Sequence, residues 1–229
     1  MKRDFSTTAT AWLFLLAGGM LWLGWVLLPT RIGLFFRPGD FAAIHEHWRL
    51  WIWMFRIHLF GYLVTLMALV ALAALLTESE ARILAWPGVA VAGTGLLVGA
   101  LGGAFYYHHG AWGALEMAGK SQAALLAYVA ALRIDTEYAT CLVRFSRVFF
   151  GMGQLVLALA LFKWNVLPKA IAGGAALLGL VAIVLIMGFP DDAEYYTPVF
   201  HLNALWLVSI GIVVGRVGLR LSLDETRKA

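Results

Sequence analysis

Charge is scarce in this 229-residue chain: 13% of its residues are Asp, Glu, Lys or Arg, whereas 62% are hydrophobic. Soluble domains carry about 25% charged and about 45–50% apolar residues. A water-soluble fold of this length has too much surface to hide so large an apolar area. The shortage excludes a cytosolic enzyme, a nucleic-acid-binding domain and a disordered tail, and it places the chain in a bilayer. Cysteine is nearly absent as well. The single Cys141 forms no internal disulfide and no CxxC pair for zinc or redox work, and it reads as a small apolar residue within a helix. No lysine falls in the middle of an apolar run, which removes a retinal Schiff base. There is no Walker motif and no GxSxG nucleophile elbow. Gly93-Thr94-Gly95 with Gly99 lacks both the spacing and the preceding strand of a dinucleotide fingerprint. A net charge of +4 would suggest nucleic acid in a soluble protein. Here Lys and Arg collect at helix ends, as topology requires, and no nucleic-acid partner is expected.

Long apolar sequence is what the chain has in abundance. A helix needs about 20 apolar residues to cross the hydrocarbon core, and six stretches qualify: 9–29, 50–76, 83–107, 138–164, 166–189 and 197–219. The predicted fold is all-α, a polytopic bundle of six antiparallel transmembrane helices forming one integral membrane domain over 1–229. Lys2 and Arg3 precede an apolar run too long for a signal peptide, and no cleavage site follows. The first span therefore reads as a retained anchor. Pro87 is expected in the first turn of the third helix and Pro198 at the first position of the sixth. Short connections at 77–82 and 163–165 make the flanking helices antiparallel neighbours. In the longer connection 30–49, Pro38-Gly39-Asp40 marks a turn. The longest connection, 108–137, contains an apolar run at 121–133 too short to span, predicted as a short interfacial helix. Lys and Arg on short segments, opposite Asp191, Asp192 and Glu194, predict a multi-pass protein of a bacterial-type inner (plasma) membrane with cytoplasmic termini. Gly95, Gly99 and Gly103, like Gly211 and Gly215, recur every fourth residue. That spacing lets helix backbones approach, and in helix three it also leaves room for a flat cofactor. The stretch Gln154–Gly179, a long aliphatic helix, a Leu167-Pro168 connection and a Gly/Ala-rich helix, resembles parts of bacterial multi-span membrane proteins in general. It carries no functional residue over.

The ionisable groups are distributed unevenly. All six histidines fall at the level opposite the termini, together with Arg56, Arg144, Arg147, Tyr106, Tyr107, Tyr195, Tyr196, Asn203 and Glu116. His47 and His58 are close to three turns apart and share a helix face, about 16 Å apart along the axis, with Trp51, Met54 and Tyr62 near it. Three readings follow. The first is a membrane redox subunit holding one b-type haem near the extracytoplasmic face and exchanging electrons with quinol or a periplasmic carrier. A b-type haem needs axial imidazoles from different helices and cations for its propionates. His58 and His201, or His108, are the axial candidates; Arg56, Arg144 and Arg147 would meet the propionates, and Gly99 and Gly103 would flank the ring. The second is an extracytoplasmic copper or zinc site built from His45, His47, His108 and His109, since imidazole suits both metals. The third is a noncatalytic scaffold or partner subunit of a larger membrane complex, its His, Arg, Tyr and Trp residues forming an ordinary interfacial belt. The one-sidedness of the histidines counts against the third, because a belt should appear at both ends; histidines at matched depth on separate helices beside arginines make the first the sharpest.

Overall fold

A computed structural model describes residues 2–76, 79–189 and 193–228. They form eight helices: α1 Lys2–Val26, α2 Pro38–Glu46, α3 Trp48–Leu75, α4 Ser79–Glu116, α5 Gln122–Ala131, α6 Arg133–Lys163, α7 Lys169–Gly188 and α8 Ala193–Lys228. Six of these, all but α2 and α5, are long and apolar enough to cross a membrane. The chain is a multi-pass helical membrane protein, as its hydropathy predicts. The spanning helices touch in chain order, α1 on α3, α3 on α4, α4 on α6, α6 on α7 and α7 on α8, and α8 returns to pack on α1. The result is a closed ring, with α2 and α5 laid over one end against α3, α4 and α6.

Small residues set the closest crossings. A Cβ on Gly95 would stand 2.6 Å from the Phe150 nitrogen and the Ser146 carbonyl, and one on Gly88 would stand 2.8 Å from the Leu157 nitrogen. Gly153 presses in the same way on the main chain of Ala92. Lipid supplies no hydrophobic drive between helices, so this main-chain approach is what dispersion and packing require.

Several local expectations need correction. Pro38-Gly39-Asp40 opens a helix rather than a turn. Pro38 occupies the first helical turn, where a missing N–H costs nothing, and the Asp40 carboxylate accepts the Arg37 N–H at 2.7 Å. The connection after residue 107 is not a long loop, because α4 continues to Glu116. Gly110 and Gly113 seat against Trp51, Phe41 and Tyr128, and that packing outweighs the poor helix propensity of glycine. The helix stops before Gly119, whose φ of +70° is the left-handed conformation common after helix ends. Pro87 and Pro198 lie inside α4 and α8 rather than in their first turns, because both helices begin earlier than hydropathy suggests. The short apolar helix expected at 121–133 is α5. It is capped by Ser121, whose hydroxyl accepts from the Ala124 N–H, and it buries no residue fully.

Candidate intramembrane cavity

Between α1 and α2 the chain is irregular from about residue 27 to 37, yet it turns inward. Leu34 and Phe36 are buried. The Tyr106 hydroxyl donates to the Leu34 carbonyl at 2.8 Å, Thr140 reaches the same carbonyl at 3.2 Å, and the two hydroxyl oxygens lie 2.9 Å apart. Trp51 Nε1 donates to the Thr30 carbonyl at 3.0 Å, and Phe36 stacks on Phe41 with centroids 5.3 Å apart. Among the described residues, no main-chain N–H from Thr30 to Phe36 donates to a protein partner. Irregular backbone is tolerated at membrane depth only where protein buries it or it lines a wet cavity.

A cavity of about 150 Å³ lies beneath this segment. Its wall is built from Trp25 on α1, Gly33 and Leu34 of the cover, Phe55, His58 and Tyr62 on α3, Gly99, Gly103 and Tyr106 on α4, Ser146 and Arg147 on α6, and Tyr196, Phe200 and Asn203 on α8. Gly24 makes the α1–α3 side possible. A Cβ there would stand 2.7 Å from the His58 nitrogen, and its absence lets Trp25 pack on His58 at 5.8 Å.

His58 is buried, with Nδ1 3.3 Å from the Leu21 carbonyl and Nε2 3.2 Å from the Tyr62 hydroxyl. A carbonyl can only accept, so Nδ1 carries the proton; in the neutral ring Nε2 then accepts from Tyr62. Below it, Gln154 Nε2 donates to Asn203 Oδ1 at 2.6 Å, and Asn203 Nδ2 donates to the Val199 carbonyl. Arg147 stands differently. Its guanidinium lies 4.2 Å from the Tyr196 ring centroid, and among the described residues it has neither a hydrogen-bond partner nor a carboxylate. Cations inside a bundle are costly, and they mark substrate or ion sites when they face its interior.

The structure divides the residues singled out in the sequence. His58, Arg147, Gly99 and Gly103 meet on this wall. His201, Arg56, Arg144 and His108 do not line it. His201 packs on Phe200 at 5.7 Å, and its buried Nδ1 has no partner among the described residues. Arg56 donates to the Tyr107 hydroxyl at 2.7 Å, and Arg144 donates to the Ile186 carbonyl at 2.5 Å. His108 is exposed and stacks on Trp112. His109 Nδ1 is 3.4 Å from the Tyr128 hydroxyl. His45 and His47 are exposed at the end of α2.

These positions bear on both cofactor expectations. The cavity wall offers one imidazole, with both nitrogens engaged. Its volume is about that of a protein cavity that accepts a single benzene ring, far short of a macrocycle. The residues present do not fit a haem between two imidazoles. Among the described residues, no group of three or more His, Cys, Asp or Glu side chains could hold a metal ion. Sequence reasoning passed over Trp25 and Gln154. Trp25 looks like one more belt residue, whereas Gln154 had a usable signal, a polar side chain seven residues from Arg147 on an otherwise apolar helix. The chain matches no protein-family model, and neither a curated protein nor a solved structure shows similarity to it.

Proposed function

We propose that this protein binds the ring head of a lipid-soluble quinone or quinol inside the bilayer, as the quinone-binding component of a membrane redox system. The observation that carries this reading is the Arg147 guanidinium, turned to an apolar cavity without an acidic partner among the described residues. A donor-only cation in that setting calls for an oxygen acceptor from a ligand. The cavity volume supports a single six-membered ring, and Trp25, Phe55, Tyr62 and Phe200 give it aromatic walls suited to offset or edge-to-face contact. A long isoprenoid or alkyl tail fits the apolar surroundings of the ring of helices. The role of the chain's own residues in this reading is to bind and orient the head.

The test uses the full chain in lipid nanodiscs titrated with decylubiquinone, with tryptophan fluorescence as the readout. Wild type should show saturable quenching. Arg147→Gln should weaken binding at least tenfold, about 1.4 kcal/mol, whereas Arg144→Gln, off the cavity wall, should change it less than about twofold. Absence of saturable binding, or an unaffected Arg147→Gln variant, would overturn the proposal. Displacement of the quinone by decanoate at equal concentration would assign the cavity to a fatty carboxylate instead. A Soret band from purified protein would return the haem reading to first place.

A further inference from the structure

Outside the cavity, the outer face of α3 carries an ordered run of side chains. Arg49, Trp53, Arg56, Phe60, Leu63 and Met67 recur at alternating steps of four and three residues, and none of them is buried. That spacing is a single stripe along a helix. Cationic and aromatic side chains occupy the part nearer α2, and purely apolar ones begin one turn beyond Arg56, so Arg56 stands at the border. It is held there. Its Nε donates to the Tyr107 hydroxyl on α4 at 2.7 Å, and its Cζ lies 5.3 Å from the Trp53 ring centroid and 5.5 Å from that of Tyr107. The two terminal amino groups meet no acceptor among the described residues, and neither Arg56 nor Arg49 forms an ion pair among them. An arginine near a helix end ordinarily snorkels toward water. The Tyr107 bond and the two rings tie this one down instead, and a cation fixed on a membrane-facing surface needs an anion that comes to it.

We propose that this face binds the phosphate of an anionic phospholipid in the leaflet on the α2 side. The site lies outside the cavity and is independent of what the cavity holds. The terminal N–H groups of Arg56 form a planar fork that matches two phosphate oxygens. Arg49, seven residues earlier and about 10 Å along the axis, adds a second positive charge to the stripe, with its Cζ 5.6 Å from the Trp48 ring centroid. With no carboxylate paired to either arginine among the described residues, the ammonium of a zwitterionic headgroup has no counter-charge here, which sets anionic lipid above it. Trp53 and Trp112 are both exposed, and Trp112 stands edge-on to Tyr107 at 6.0 Å; aromatic rings so placed accompany headgroups at the membrane interface. A free phosphate ion shares the chemistry of the fork. The exposed track of Phe60, Leu63 and Met67 favours the lipid, because an acyl chain hanging from that phosphate lies along it.

The experiment measures lipid retained by the full chain, using native mass spectrometry from micelles doped with equal amounts of phosphatidylglycerol and phosphatidylcholine of identical acyl chains. Wild type should retain phosphatidylglycerol about fivefold over phosphatidylcholine, and Arg56→Gln should remove that preference. Tyr107→Phe keeps the ring and deletes the oxygen that holds Arg56, and should lower the preference about twofold. Arg133→Gln removes the same charge from an exposed arginine paired with Glu137 and should leave the preference unchanged. Equal retention of both lipids by wild type, an undiminished preference in Arg56→Gln, or an equal loss in Arg133→Gln overturns the proposal. Displacement of the lipid by excess inorganic phosphate would assign the arginines to a free anion and overturn it as well. A dimer that carries no lipid and disappears in Arg56→Gln would give the face to a second copy of the chain, again against the proposal. If Arg56→Gln does not fold, Tyr107→Phe carries the same test, and an unchanged preference there counts against it.

Discussion

The two ends of the helix ring are made of different material. Away from α2 and α5, the core is mostly aliphatic and small, with Phe14 and Trp206 as its large buried rings: Leu72, Ala73, Ala81, Ala85, Leu157, Leu161 and Ala172 are all essentially buried, and Gly88, Gly153 and Ala92 bring α4 and α6 into main-chain contact. At the other end Trp51, Phe36, Phe41, Phe55 and Tyr106 form an aromatic cluster, stitched by side-chain hydrogen bonds to carbonyls of the cover. Small side chains let helices touch, so that end has no room for a ligand. Large rings hold helices apart and leave gaps where they do not mesh, and the cavity opens where one regime gives way to the other. Gly95, Gly99 and Gly103 run across that boundary. All three line the cavity, but the first is pinned to the α6 main chain at 2.6 Å, whereas would-be Cβ atoms on the next two meet only side chains of Ser146, Tyr62 and Leu59.

This contrast can be broken most severely at the small-residue end. Gly153→Leu would drive its side chain into the Ala92 main chain and should cost about 3 kcal/mol, read as loss of monodisperse protein and a lowered thermal midpoint in detergent. Gly173→Leu, where nothing lies within 4 Å of an added Cβ, should stay within about 0.5 kcal/mol. Equal damage from both would dissolve the distinction. A smaller effect is expected at the aromatic end. Tyr106→Phe removes the 2.8 Å bond to the Leu34 carbonyl and should cost about 1 kcal/mol in thermal unfolding, with faster release of bound quinone as the cover loosens. An unchanged release rate would separate the cover from ligand exchange.

The smallest expected effect concerns Tyr128 on α5, outside the spanning helices. Partial burial, then the nearby Glu116, raises its hydroxyl above the ordinary value of 10.0. A group whose folded pKa is raised contributes stability that is whole below the unfolded value and is lost as pH rises through the folded one. Unfolding curves above pH 10.0 should therefore fall more steeply for wild type than for Tyr128→Phe. Parallel curves would show that this hydroxyl does not sense its surroundings.

The six spans were legible because hydropathy over about 20 residues reports the cost of burying polar main chain in lipid, and that cost does not depend on which helices become neighbours. Helix ends were less legible. Gly110 and Gly113 look like breakers until Trp51 and Phe41 are seen to fill the space beside them, and α2 was hidden by a Pro-Gly pair that reads equally well as a turn or as a helix start. Of the site, His58 and Arg147 stood out as ionisable groups in apolar sequence. Tyr106, Tyr196 and Asn203 were visible at the same level, but nothing local distinguishes a tyrosine facing inward from one in an interfacial belt. That assignment depends on rotation of each helix about its axis, which is set by contacts such as Gly24 on His58. Trp25 carried no local signal at all, since its place on the wall comes from packing on His58 beside Gly24.

The irregular stretch between α1 and α2 has a consequence for the molecule as an electrical insulator. Main-chain N–H groups without protein partners among the described residues call for water or a ligand, so this stretch adds little to the insulating thickness of the helix ring. The section built to insulate is the glycine-welded one around Gly88, Ala92 and Gly153, where the main chains of two spanning helices are in direct contact.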